Sequence, residues 1–191
     1  MRRLVVFAIV AAALAIPSIA AAQTEPTESR GWFASPFIAA TFGGDTTESA
    51  PFYGASAGWM GGHLGFEGEV ANAPDFFEPT GFLTYRRVTT VMGNAFYRFS
   101  TRGVQPYAVG GVGFVRPHLA EAGELAVLEV NKLGFNVGGG VFGRISDHTG
   151  VRGDLRYIRT AGTSESDANP FGLDLTRFEF WRASAGLVVT F

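Results

Sequence analysis

The sequence predicts an all-β fold, an eight-stranded antiparallel up-and-down transmembrane β-barrel, and three observations carry that expectation. Apolar and polar residues alternate with a period of two along most of the chain beyond residue 31. Short and long connections between the alternating stretches follow one another strictly. Glycine supplies 26 of 191 residues beside 18 phenylalanines, with 47% hydrophobic residues overall. That glycine share is about twice the usual one, and the hydrophobicity is too high for disorder, so the composition fits crowded β backbones.

The first residues are set apart from this pattern. Met1, Arg2 and Arg3 precede an apolar run over 4–16, and Ala20 and Ala22 supply an A-x-A cleavage pattern. Residues 1–22 therefore read as a secretory signal peptide. The apolar run is shorter than the ~20 residues of a spanning helix and is followed by Pro17. Residues 23–30 form a short linker, and 31–191 form the barrel domain. Without the leader the chain has 169 residues, 13 basic and 17 acidic, for a formal net charge of −4. This length suits one domain, and the charge balance gives no basic surface for a nucleic-acid partner. The absence of cysteine excludes disulfides and thiolate metal sites.

In chain order, the expected strands cover 32–42, 52–60, 63–71, 85–99, 105–116, 133–145, 151–159 and 178–191. In the third, Leu64, Phe66, Gly68 and Val70 alternate with His63, Gly65, Glu67 and Glu69. The sixth sets Leu133, Phe135, Val137, Val141 and Ile145 against Asn136, Phe142 and Arg144. The seventh sets Val151, Leu155 and Tyr157 against Arg152, Asp154, Arg156 and Ile158. The last puts Trp181, Ala183, Ala185, Leu187, Val189 and Phe191 on one face and Phe180, Arg182, Ser184 and Thr190 on the other. The other four have strand composition with less defined faces. "PYAVGGVGF" in the fifth is apolar on both, so the registers of the first and fifth strands stay open.

Tight turns are expected at Gly61-Gly62, 100–103 and 146–149, with longer segments at 44–51, 72–84, 117–130 and 160–177. All long loops then lie at one end, and a short helix is expected within 119–130. Strands of this length meet the ~9 to 11 tilted residues that cross a hydrocarbon layer, and eight strands enclose a lumen that side chains just fill.

The alternating faces indicate which side meets lipid. One is Leu, Val, Phe, Ala and Gly bracketed by aromatics, as at Trp181 and Phe191, the pattern of interfacial girdles. The opposite face carries Glu67, Glu69, Arg98, Arg144, Arg152, Asp154, Arg156 and Arg182, read as a charge network inside the lumen. Charges in a narrow barrel need partners, so the arginines of the last three strands are expected to pair with Glu67, Glu69 and Asp154.

The quoted stretches "GFEGEV", "GNAFYRF", "PYAVGGVGF", "NVGGGVFGRISDHTGVRGDLRYIR" and the closing "GLVVTF" resemble the small outer-membrane β-barrel proteins of Gram-negative bacteria. The resemblance covers 31–191. It implies a multi-pass barrel in the bacterial outer membrane, among outer-membrane lipids, with the N-terminal linker in the periplasm and the long loops outside. It also implies that the last strand, with Phe191, Val189 and Leu187, is read by the barrel-assembly machinery.

Function does not follow from this fold. Ser146, Asp147 and His148 adjoin in one tight turn, where neighbours do not converge on a substrate atom, and bend chemistry explains them better. The His-x-Ser pair of lipid-A-deacylating barrels is not seen. Glu165, Asp167 and Asp174 lack the spacing of a calcium loop. No catalytic, cofactor or metal site is therefore expected. The leading expectation is a non-enzymatic envelope or surface-contact role through four long loops, where 72–84 and 160–177 are the places to seek a partner. A small solute or ion channel, a lipid-modifying enzyme and a soluble ligand-binding barrel are the alternatives.

Overall fold

The computed structural model describes residues 30–44, 50–74, 83–121, 127–129, 132–161 and 179–191. Residues 1–22 and nearly all of the 23–30 linker lie outside this set, as does most of 160–177.

Nine strands occur among the described residues: β1 (Gly31–Phe42), β2 (Pro51–Met60), β3 (Leu64–Ala73), β4 (Leu83–Arg98), β5 (Val104–Glu121), β6 (Val127–Glu129), β7 (Lys132–Arg144), β8 (Thr149–Thr160) and β9 (Glu179–Thr190). Eight of them form a closed ring in the order β4-β3-β2-β1-β9-β8-β7-β5, sealed by the β4–β5 pairing. Every neighbouring pair is antiparallel. Closure matters because an open edge in hydrocarbon would leave backbone groups without partners.

The ninth strand corrects an expectation. In place of a short helix within 119–130, β5 continues to Glu121 and β6 pairs back on it, with Leu119 opposite Leu128 and Ala120 opposite Val127. On its other side β5 stays paired with β4 as far as Leu83 opposite Glu121. Ladder partners on both sides satisfy the backbone there, and a helix would have to give them up. With 16 and 18 residues, β4 and β5 are longer than a bilayer crossing requires, so the wall rises beyond the hydrocarbon on this side.

The three tight connections fall at 61–63, 99–103 and 145–148, all at the end where Gly31 enters and Phe191 ends. In the second, Gly103 adopts a φ of +59°, a left-handed conformation that suits glycine.

Burial alternates along the strands and fixes the two open registers. In β1, Phe33, Ser35 and Thr41 are buried and Trp32 and Ile38 exposed; in β5, Gln105, Tyr107, Val109 and Val115 are buried and Val104, Val112 and Phe114 exposed. The outer wall exposes Trp32, Phe66, Phe114, Leu133, Val137, Leu187 and Phe191 together. A continuous apolar wall of that extent belongs in lipid rather than water.

Candidate functional site

The lumen is stacked in layers. Toward the long-loop end, Phe52, Val88, Met92, Val115, Ile158 and Phe180 form an apolar layer, with Phe52 and Phe180 stacked at 6.0 Å. Toward the tight-turn end, Phe33, Met60, Phe96, Val109, Phe142 and Val188 form a second layer with the Tyr107 ring, which lies 4.6 Å from Phe142. Between them lies a polar layer built by β3, β4, β5, β7, β8 and β9.

Three strands supply its charges because each alternates strictly at the same height. The β3 residues Glu67 and Glu69 face Arg152, Asp154 and Arg156 of β8 across the lumen, and Arg182 of β9 joins them. Arg152 embraces Glu67, with Nη1 on Oε2 and Nη2 on Oε1 at 3.1 Å. Arg156 donates from Nη2 to Glu67 Oε1 at 2.9 Å and from Nε to Asp154 Oδ1 at 3.0 Å, and its Nη1 lies 3.2 Å from Glu69 Oε2. Arg182 Nη2 is 2.7 Å from Glu69 Oε1. Three guanidinium groups thus face three carboxylates, which makes the layer neutral. Each buried charge therefore has an opposite charge beside it, as burial requires.

Neutral side chains extend the layer. The Tyr107 hydroxyl donates to Asp154 Oδ2 at 2.9 Å and accepts from Arg152 Nε at 2.7 Å. Asn94 donates to Glu67 Oε1 at 3.0 Å, and Asn136 donates to Asn94 Oδ1 at 2.7 Å. Arg152 also lies over the Tyr107 and Phe142 rings, at 5.1 and 5.0 Å, which couples the polar layer to the aromatic one beneath. Space for this comes from inward glycines. A Cβ on Gly140 would stand 2.6 Å from both the Tyr107 hydroxyl and Asp154 Cβ, too close for any side chain.

Of the eight residues expected to form the network, Glu67, Glu69, Arg152, Asp154, Arg156 and Arg182 meet in this layer. Arg98 and Arg144 do not. Arg98 is fully buried at the tight-turn end, where Nη1 donates to Gln105 Oε1 at 2.7 Å and Nη2 to the carbonyls of Gly61, at 2.9 Å, and Gly62. Arg144 ends β7 and borders a small cavity with Gln105, Asp147 and Thr149. Alternation gives both the correct face, but they sit beneath the aromatic layer and cannot reach its far side. Sequence reasoning missed Tyr107 and Asn94 and gave Asn136 its face without assigning it to the network; only an assigned β5 register could have flagged Tyr107.

Ser146, Asp147 and His148 are all exposed in the 145–148 turn, whose backbone is closed by Ile145 and Ser146 donating to the Thr149 carbonyl. The outer wall is ringed by aromatics at both ends. Trp32, Trp59, Tyr97, Phe99 and Phe191 mark the tight-turn end, with Tyr97 and Phe99 5.5 Å apart. At the other end Tyr157 and Trp181 pack at 5.4 Å, beside the Arg159–Glu179 pair. Leu187, Val189 and Phe191 all point outward, and the Phe191 amide donates to the Trp32 carbonyl at 2.9 Å, tying the last residue to the first strand.

Comparison with known proteins agrees with this architecture. The family model described as "Outer membrane protein beta-barrel domain" matches residues 7–186. A crystal structure of Neisserial surface protein A matches with a TM-score of 0.64 and 20% identity, covering 84% of this chain and 97% of that one. The N-terminal β-barrel domain of Pseudomonas aeruginosa OprF gives 0.58 and 15%, covering 86% and 100%. Ail, the attachment invasion locus protein of Yersinia pestis, in complex with the heparin analogue sucrose octasulfate, gives 0.53 and 13%, covering 85% and 99%. Among curated proteins there is no significant match by sequence. At these identities the structures share the fold alone.

Proposed function

The chain belongs to the outer membrane protein β-barrel domain family, and on that premise we propose that it is a non-enzymatic barrel that serves the envelope and surface contacts through its long loops. It is a bacterial outer-membrane β-barrel, and its wall meets outer-membrane lipids. The observation that carries the further reading is the filled lumen. A neutral ion-pair layer lies between two apolar layers among the described residues, and side chains that fill the lumen in this way speak against the channel alternative. What differs between barrels of this kind is then the loops.

Shortening 75–82 and 163–177 to minimal turns, in a strain that depends on the protein for resistance to detergents or for surface contact, tests this reading. Loss of the phenotype with unchanged barrel levels supports loop function. Full complementation by the loop-shortened chain would contradict it. The assembly role of the last strand rests on the outward row Leu187, Val189 and Phe191 and on recognition by the barrel-assembly machinery.

A further inference from the structure

The ring is interrupted at one place in its closing seam. Between β1 and β9 the register runs unbroken in phase, yet Ser35 and Pro36 have no partners in it, while Ala34 opposite Val189 and Phe37 opposite Gly186 do. The alternation of hydrogen-bonded pairs explains the gap. Phe191 donates to Trp32, so the bonded pairs recur every second residue, at Ala34 with Val189 and at position 36 with Leu187. Proline has no N–H, so the Leu187 carbonyl loses its ladder donor. The β1–β2 side is intact, with Ser35 opposite Ser56 and Pro36 opposite Ala55. Pro36 is the sixth of twelve residues in β1, at mid-depth in the bilayer, where no outside water can replace the missing donor.

Behind this gap lies a second, independent feature. A cavity of about 10 Å³ is lined by Ser35, Ser56, Glu69, Asp154, Ser184 and Gly186 among others. Ser35 Oγ and Ser56 Oγ are buried without a hydrogen-bond partner in the protein, and Glu69 Oε1 accepts no hydrogen bond beyond its ion pair with Arg182. The lining residues Ser35 and Gly186 are chain neighbours of Pro36 and Leu187, so the polar cavity adjoins the broken rung. Volume and partners match a single water, which needs space of about one probe sphere and two to four polar groups.

We propose that the β1–β9 seam holds one bound water that donates to the Leu187 carbonyl in place of the absent Pro36 amide. The same molecule hydrogen-bonds Ser35 and Ser56 and ties the seam to the ion-pair layer at Glu69. The closing contact of the barrel therefore depends on a solvent molecule as well as on the chain.

Solution NMR of the refolded full chain in micelles tests this through cross-peaks between long-lived water and amides. Cross-peaks are expected at β1 and β9 amides around Ser35 and Leu187. They are expected to vanish in the Ser35→Ala, Ser56→Ala double variant while the shifts of β4 to β7 persist. In Pro36→Val, the new amide is expected to exchange as slowly as those of Ala34 and Ile38, with the water cross-peaks weakened. A wild-type seam without water cross-peaks, or cross-peaks unchanged in the double variant, would overturn the proposal. So would rapid exchange of the amide at position 36 in the proline variant, because the gap would then not be the proline's doing.

Discussion

Two groups of buried arginines occupy the same lumen and are held differently. Arg152, Arg156 and Arg182 face carboxylates from another part of the ring, and the Arg152–Glu67 pair joins residues 85 apart in sequence. Arg98 is just as buried, and it donates to Gln105 and to the Gly61 and Gly62 carbonyls beside the tight turns. The first group braces the barrel across its diameter; the second staples one end. Breaking each should therefore have consequences of different size and reach.

The largest effect is expected from Glu67→Ala. It leaves Arg152 with Asp154 as its one carboxylate, leaves Arg156 with Asp154 and Glu69, and removes the acceptor of Asn94. Removing one partner from a buried ion-paired group costs about 3–5 kcal/mol. Urea unfolding in lipid vesicles, read by the mobility difference between folded and unfolded forms, should show that loss. Arg98→Ala should cost less, about 1–2 kcal/mol, since the Gln105 side chain and the Gly61 and Gly62 carbonyls that it leaves lie close to the aqueous end. Its footprint should be local, with faster amide exchange at 61–63 and 99–105 and unchanged exchange in β8. Tyr107→Phe should be milder still, near 1 kcal/mol, because Arg152 Nε keeps its direct bond to Asp154 at 3.1 Å. If Arg98→Ala matched Glu67→Ala in size and reach, the distinction between brace and staple would fail.

Deleting Phe191 sharpens the comparison from outside the lumen. The residue is 76% exposed, and its amide adds one ladder bond to Trp32. The deletion is therefore expected to change the unfolding midpoint of refolded barrels little and to lower surface levels in cells strongly. Equal surface levels of both forms would remove the assembly role.

Much of this was legible in the sequence, and the limits have a physical cause. Strict alternation in β3, β8 and β9 exposed the facing of Glu67, Glu69, Arg152, Asp154, Arg156 and Arg182, because lipid and lumen impose opposite chemistry on successive residues. Alternation specifies a face but not a height. Arg98 and Arg144 share the inward face with the network, and only the stagger between strands puts them beneath the aromatic layer. In β5 both faces are apolar or glycine along "PYAVGGVGF", so period two loses its contrast and Tyr107 stays hidden. The stretch at 119–130 has no such period either, and its pairing with β5 is decided by a partner strand rather than by local preference.

The proposed envelope role requires a lumen sealed by its ion-pair layer and the two apolar layers around it. Planar-bilayer recording of the refolded full chain measures this directly. The wild-type barrel is expected to give no conductance steps, at low salt and at high salt alike. Stable, reproducible open steps from the intact wild-type chain would contradict the sealed lumen and return the channel reading to first place.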